Sequence, residues 1–228
     1  MKKLIFINIL FFFSFNYAQS FQVEKLSGSV KILDDNSSSW RDLKPDTKIE
    51  SNAMISTEKN SYVKLKDNVL SFTLKESSAI LISNIKKMST DELLLALAME
   101  NIINTPRKKG KDNSGNTAVY GADERVKEIA INKLSDMGIK RLNGAKQLAE
   151  NGMKESAIVT AMEIYRKYPE TKLNAEYRIY FADLLFGKGL YEEAYDEFTS
   201  VKSLPLKQTQ SIYVDQKLDE IGKKLLTN

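Results

Sequence analysis

The feature that most constrains the fold is a change of hydrophobic period near Ser89. Before it, between residues 21 and 85, apolar side chains alternate with polar ones, as at Val63 and Leu65. A period of two, in short runs rich in β-branched and aromatic residues, is typical of half-buried strands. Turn-forming clusters break the runs at Asp34-Asp35-Asn36, Lys44-Pro45-Asp46, Glu58-Lys59-Asn60 and Lys66-Asp67-Asn68. About six short strands at this spacing predict a small sandwich or barrel-like sheet.

From Ser89 onward the period is helical. Ser89-Thr90-Asp91-Glu92 predicts a helix N-terminus, because Ser caps the first turn and acidic residues favour its positive end. The helix is predicted to reach about Ile103 and to stop before Pro106. Its apolar residues cover nearly the whole circumference, so we expect it to be buried between the two parts of the chain. Pro106–Asn116, with four basic residues and two glycines, is predicted to be a solvated linker; contact with a membrane or polyanion is the alternative.

Residues 123–228 contain a repeat. Several positions recur at an offset of 37 residues, and the prolines recur at 36. The equivalent pairs are Gly152 with Gly189, Ala157 with Ala194, Ala161 with Phe198 and Pro169 with Pro205. A repeat of this length, with a glycine turn between two helices, predicts stacked helical hairpins.

The N-terminus has the order of a secretory signal peptide. Lys2 and Lys3 precede an apolar stretch, Leu4–Phe15, and small residues follow. Twelve helical residues span roughly 18 Å, which is short of a ~30 Å hydrocarbon core; an uncleaved anchor is the alternative. Cleavage is predicted after Ala18 or after Ser20, and no later segment approaches eighteen consecutive apolar residues.

These patterns divide the chain into four parts. They are a signal peptide (1–20), a β domain (21–88), a connecting helix with a basic linker (89–122) and a helical domain (123–228). The predicted fold class is α+β and multidomain, with a small all-β sandwich or barrel followed by an all-α helical repeat domain.

Composition excludes several classes of function. The formal charge of +4 becomes +2 without Lys2 and Lys3, and it is spread evenly, so nucleic acid is not an expected partner. The chain has neither His nor Cys. It therefore lacks disulfides, the acylated cysteine of a lipoprotein, thiol nucleophiles, soft-metal ligands and the usual proton shuttle at neutral pH.

The remaining chemical patterns are incomplete. Glu192-Glu193 is predicted to be a solvated helix face, since adjacent residues of a helix diverge by about 100°. Gly110-Lys111 has no partner glycine for a phosphate loop. Asp112–Asn116 resembles a calcium loop, with Asp123 eleven residues on, but its glycine is misplaced and no Glu closes it. We therefore expect no enzyme activity, no metal and no cofactor.

A series of short motifs runs through residues 23–83. In chain order they are Gly28-x-Val30-x-Ile32, Trp40-x-x-Leu43, Ile49, Met54-Ile55-Ser56-Thr57, Tyr62-Val63-Lys64-Leu65 and Leu70-Ser71-Phe72-Thr73-Leu74-Lys75-Glu76-Ser77-Ser78. This order resembles the FecR domain. Pro45-Asp46 replaces the glycine that usually follows the Trp-x-x-Leu element, and Asp67-Asn68 replaces the usual Asp-Gly turn, where Asn can also hold a positive φ. Trp40 is predicted to be a core anchor.

A second set of motifs covers residues 138–206. It consists of Phe181-Ala182-x-x-Leu185-x-x-x-Gly189-x-Tyr191-x-x-Ala194-x-x-x-Phe198 with Pro205, and a weaker copy, Gly144-Ala145-x-x-Leu148-x-x-x-Gly152 with Ala157, Ala161, Ile164 and Pro169. The set resembles tetratricopeptide repeats; a generic helical bundle is the alternative. The resemblance implies a concave surface formed by the first helix of each hairpin. Lys146 and Asp183 then share one repeat position on that surface, with Glu176 nearby, as candidate partner-binding residues.

The expected function is that of an exported, non-enzymatic binding or scaffold protein of the bacterial envelope. It would be periplasmic or extracellular, and its helical repeats would engage a protein or an envelope polymer. The alternative is a regulatory protein, since FecR-domain proteins include transmembrane regulators that signal to sigma factors. That alternative needs a cytoplasmic segment, and only three residues precede the apolar stretch. The partner, the oligomeric state and any ligand of the β domain stay open.

Overall fold

The computed structural model describes residues 20–35, 37–104 and 124–227, with the side chains of 101, 104 and 124–135 excepted. The predicted signal peptide up to Gln19, including the cleavage site at Ala18, lies outside the described residues. The predicted linker Pro106–Asn116 and the calcium-like loop also lie outside them. Within the described residues the chain is an α+β protein, with strands first and helices after.

Among the described residues, eight strands form two antiparallel four-stranded sheets. The strands are β1 (Ser20–Ser27), β2 (Val30–Leu33), β3 (Arg41–Asp42), β4 (Lys48–Glu50), β5 (Met54–Thr57), β6 (Tyr62–Lys66), β7 (Ser71–Leu74) and β8 (Ser78–Leu81). One sheet has the order β4-β1-β6-β7 and the other β3-β2-β5-β8. The predicted alternation is confirmed, since Val63, Leu65, Phe72 and Leu74 are fully buried while the residues between them are not. Trp40 is only half-buried, so its predicted role as a core anchor is wrong.

Two turns of the strand region form without glycine. Asp46 has φ 57°, the left-handed conformation that a glycine would supply. Asn68 is not among the described residues with positive φ. The turn before β7 is instead held by the Asp67 carboxylate, which accepts hydrogen bonds from the backbone N–H groups of Val69 (2.7 Å) and Leu70 (2.6 Å).

In the part of the chain that the structure describes, six helices follow the sheets. They are α1 (Thr90–Asn104), α2 (Glu124–Glu150), α3 (Lys154–Lys167), α4 (Ala175–Gly187), α5 (Tyr191–Val201) and α6 (Gln208–Thr227), with short 3-10 helices at Ile82–Asn84 and Pro169–Leu173. The predicted start of α1 is confirmed as a capping box. The Ser89 N–H donates to Glu92 Oε2 (2.7 Å), and the Glu92 N–H donates to Ser89 Oγ (3.2 Å). Hydrogen bonds to the Glu92 carboxylate from the backbone N–H and the side chain of Ser89 lower the pKa of Glu92.

The prediction that α1 is buried on all sides is wrong. Leu93 and Leu97 pack into the helical core, and Glu100 accepts a hydrogen bond from Arg166 Nε on α3 (3.1 Å). Ile102, on the opposite side of α1, is 74% exposed. Helix α1 therefore buries a single stripe.

Helix α2 joins the sheets to the helices. One continuous hydrophobic cluster contains residues from the strands, α2, α3 and α4. Where α2 crosses β8, Gly144 lies so close to the strand that a Cβ there would stand 2.2 Å from the carbonyl oxygen of Ala79. Gln147 Nε2 donates to Ser78 Oγ (2.7 Å), and Gln147 Oε1 accepts from the Lys75 N–H (2.6 Å). Side chains of α2 thus cover the edge of β8, which would otherwise offer unpaired backbone groups.

Candidate binding face

The two helical hairpins, α2–α3 and α4–α5, turn in the same way. Gly152 has φ 80° and Gly189 has φ 78°, so both turns use the backbone freedom of glycine at a helix C-terminus. The next residue closes each turn: the Met153 N–H donates to the Leu148 carbonyl (2.9 Å), and the Leu190 N–H to the Leu185 carbonyl (3.1 Å). The predicted repeat of 37 residues therefore has an identical hydrogen-bond pattern in both copies.

Small residues allow the helices of each hairpin to approach. Ala157 and Ala194 are both completely buried, as expected for the closest point of two crossing helices. Helix α3 ends before Pro169, which opens a 3-10 helix, and Pro205 lies in the segment between α5 and α6.

Each hairpin also holds a buried arginine. Arg141 and Arg178, again 37 residues apart, are 2% and 6% exposed. Arg178 Nη2 lies 2.6 Å from Glu197 Oε2, and Arg141 Nη2 lies 3.3 Å from Glu163 Oε1. Each guanidinium also stands over a tyrosine ring, at 5.8 Å for Arg141 over Tyr168 and 5.7 Å for Arg178 over Tyr165. These arginines are absent from our sequence prediction, although their offset of 37 residues could have revealed them.

The carboxylate partners of the arginines differ. Burial alone would raise the pKa of Glu163, but the hydrogen bond from Lys167 and the charge of Arg141 outweigh it and lower that pKa. Lys167 Nζ lies 2.8 Å from the same oxygen. In the described residues Glu197 has one cationic partner, Arg178. These ion pairs orient α3 and α5 and offer no exposed reactive group.

A surface with reachable polar groups lies on α2, α4 and α6. The Lys146 ammonium stands 5.1 Å from the centroid of the Tyr180 ring. The Tyr213 hydroxyl donates to Asp183 Oδ1 (2.7 Å), and the Lys217 ammonium stands 4.4 Å from the centroid of the Phe186 ring. We call this surface the cation–aromatic face; its members are Lys146, Tyr180, Asp183, Phe186, Tyr213 and Lys217. All six are partly or largely exposed.

Two of the three predicted binding residues belong to this face. Lys146 on α2 and Asp183 on α4 are joined through Tyr180, which contacts Lys146 and lies one helical turn before Asp183. Glu176 is exposed in the first turn of α4, and no contact of its carboxylate joins it to the face in the described residues. The sequence prediction missed Tyr213 and Lys217, because α6 lies outside the repeat that located the other residues.

The electrostatics of the face suit recognition. Burial raises the pKa of Asp183, and the hydrogen bond from Tyr213 opposes that rise. Burial, together with the hydrogen bond to Asp183 and the charge of that carboxylate, raises the pKa of Tyr213. At neutral pH Tyr213 is therefore a neutral donor. The face combines ammonium groups, aromatic rings and a carboxylate, which can bind a polar partner with apolar stems.

Other kinds of site are not found in the described residues. No group of three or more acidic side chains there is arranged to hold a metal ion. None of the helices described has both the length and the apolar character that crossing a bilayer requires. Glu192 and Glu193 lie at the start of α5, with Glu192 exposed. Ser20, the later predicted cleavage position, is the first residue of β1 and pairs with Glu50, so cleavage there would shorten the strand.

Comparison of the chain with models of known families, with characterised proteins and with solved structures finds no match.

Proposed function

We propose that this chain is an exported, non-enzymatic binding or scaffold protein of the bacterial envelope. Its strand region is a FecR-like β domain, and its helical region is a tetratricopeptide-like repeat that engages a protein or an envelope polymer. The cation–aromatic face is the observation that carries the binding role.

The geometry of the face supports this role. The first helices of both hairpins and α6 contribute to it, which is the arrangement expected of the concave side of a helical repeat. Lys146 and Lys217 each stand over an aromatic ring, and Lys217 is also held by Glu220 Oε2 at 3.0 Å, so both ammonium groups have fixed positions. Asp183 and Tyr213 add a fixed acceptor and donor pair. Ordered polar groups lose little entropy on binding, which favours a specific partner.

Export is supported by the N-terminal order of Lys2, Lys3, the apolar stretch Leu4–Phe15 and the small residues after it. The test is fractionation of cells, followed by mass determination of the N-terminus. We expect a mature chain that begins at Gln19 or Phe21, found outside the cytoplasm. A full-length chain in the inner membrane would overturn export.

The binding role is tested by crosslinking in cells and affinity capture of the tagged chain. The face variant combines Lys146→Ser, Asp183→Asn and Lys217→Ser. The expected result is a partner captured by the wild type and reduced by roughly tenfold or more in the face variant, since each lost charge-assisted contact weakens binding severalfold.

The matched control combines Lys202→Ser and Asp215→Asn. These residues form an exposed ion pair at 2.7 Å between the end of α5 and α6, away from the face, so the control should capture the partner as the wild type does. Equal capture by the face variant and the control would contradict the binding role of the face.

The alternative function is FecR-type regulation, favoured by the motif order of the strand region. It requires that the apolar N-terminal segment remain in the membrane and that a cytoplasmic component respond to the chain. The fractionation above separates the two, because only the regulator would stay uncleaved and membrane-bound.

A further inference from the structure

Helix α1 carries the densest exposed apolar surface in the described part of the chain. Of the twelve large apolar side chains that are exposed there, five lie within ten residues of α1. They are Leu94 (43% exposed), Leu95 (64%), Met99 (55%), Ile102 (74%) and Ile103 (57%). Together with exposed Ala98 they form what we call the α1 face. It lies opposite the buried stripe of Leu93 and Leu97, and it is separate from the cation–aromatic face.

The α1 face consists of two parallel rows. One row is Leu94, Ala98 and Ile102, and the other is Leu95, Met99 and Ile103, with a spacing of four residues in both. Rows of this spacing are the ridges that interdigitate when two helices cross at about −50°, the commonest class of helix packing. The pattern is symmetric about the midpoint between Ala98 and Met99. Two antiparallel copies of α1 therefore place the leucine pair of each against the isoleucine pair of the other.

We propose that the α1 face is a self-association surface, on which a second copy of this chain docks its own α1 in antiparallel orientation. The two-fold axis passes beside Met99. Small Ala98 lets the two helix backbones approach there, and each Met99 lies next to its counterpart.

Charge at the N-terminus of the helix favours the antiparallel arrangement. The N-terminal turn carries Asp91 and Glu92. A parallel pair would place the acidic turns of the two copies side by side, where like charges repel each other. An antiparallel pair places these two turns at opposite ends of the interface.

The acidic residues of α1 also disfavour a membrane as the occupant. Helices that lie in a bilayer interface are rich in Lys and Arg on their polar side, whereas α1 contains acidic residues and no basic residue.

The size of the α1 face limits the strength of the dimer. One helix face is below the roughly 800 Å² per partner of a standard interface, so the dimer is expected to be weak and to depend on concentration.

The main test is sedimentation velocity of the protein in the form isolated from the cells that express it. It is measured over roughly a hundredfold range of protein concentration. The average mass of the wild type should rise toward that of a dimer. Met99→Glu and Met99→Lys should each remain monomeric, because each places like charges against each other at the axis. An equimolar mixture of the two variants should restore the dimer, because opposite charges then meet.

Leu226→Glu is the matched control, since Leu226 is 89% exposed on α6, and its mass profile should equal that of the wild type. A wild type that stays monomeric over the range, or a mixture of the two Met99 variants that stays monomeric, would overturn the proposal. Circular dichroism checks that each variant is folded.

A second measurement does not depend on charged variants. The chain has no Cys, so Met99→Cys introduces a single thiol at the proposed axis. Under mild oxidation it should crosslink at least roughly tenfold faster than Leu226→Cys, because only two side chains held together form a disulfide readily. Equal crosslinking rates of the two cysteine variants would overturn the proposal. It would also be overturned if the wild-type monomer bound to phosphatidylcholine–phosphatidylglycerol vesicles and Met99→Glu abolished that binding.

Discussion

The two helical hairpins share a repeat and differ in what covers their first helix. Position 144 in α2 is glycine, and its equivalent 37 residues later in α4 is Phe181. Gly144 lies against the backbone of β8, whereas Phe181 fills the core between the helices. Gln147, which bonds to β8, likewise corresponds to the apolar Leu184. At these two positions the repeat is broken where α2 packs against the β sheets.

The largest loss of stability is expected from the substitution Phe181→Ala. Phe181 is 1% exposed and makes edge-to-face contacts with Tyr165 (6.4 Å) and Tyr180 (5.2 Å). Removing the ring leaves a cavity where α4 packs against α3, which should lower the free energy of unfolding by about 4 kcal/mol. Urea unfolding measures the loss. A loss below about 1 kcal/mol would mean that the packing of α4 on α3 does not depend on this ring.

The next largest loss of stability is expected from replacing a buried arginine, and we expect it to differ between the two hairpins. Arg178→Met leaves Glu197 without its cationic partner and should cost about 3 kcal/mol. Arg141→Met should cost less, about 2 kcal/mol, because Glu163 keeps Lys167. The measurement is again urea unfolding of both variants beside the wild type. Equal losses would show that Lys167 does not compensate.

A smaller effect is expected where α2 crosses β8. Gly144→Ala places a Cβ against the Ala79 carbonyl, so the helix and strand must separate, at a cost of about 2 kcal/mol. The matched control is Gly222→Ala in α6, where a Cβ meets no atom within 4 Å. That control should gain up to about 0.8 kcal/mol from helix propensity. Two variants with the same sign of effect would contradict the close approach.

The smallest effect is expected on the pH dependence of stability. The pKa values of two carboxylates, Glu163 and Asp183, are shifted in opposite directions. The pKa of Glu163 is lowered in the folded chain, so its contribution is present above its unfolded pKa and is lost as the pH falls. The pKa of Asp183 is raised, so it costs stability at neutral pH, and that cost disappears on acidification. Between about pH 6 and pH 3, Glu163→Gln should therefore lose less stability than the wild type and Asp183→Asn should lose more. Urea unfolding at several pH values measures both slopes, and reversed slopes would contradict the assignment.

Local signals predicted much of this structure. The strand alternation at Val63 and Leu65, the capping box at Ser89 and the turns at Gly152 and Gly189 were predictable because each depends on a few neighbouring residues. The positions of Lys146 and Asp183 on equivalent first helices followed from the same repeat.

Features that depend on distant contacts were not predicted. The composition of α1 indicated burial on all sides, but of its described apolar side chains only Leu93 and Leu97 belong to the buried core of the helices. Trp40 was expected in the core because of its size, yet it lies in the short segment before β3 and stays half-exposed. The role of Gly144 was hidden because its contact, Ala79, lies 65 positions earlier in the sequence.

That contact has a consequence for the order in which the chain can fold. Strand β8 ends at residue 81, but Asn143, Gly144 and Gln147, which cover its edge, lie more than sixty residues later in the sequence. A sheet that forms before α2 docks therefore presents an open edge to any other strand in reach. Docking of α2 is the step that closes this route to aggregation.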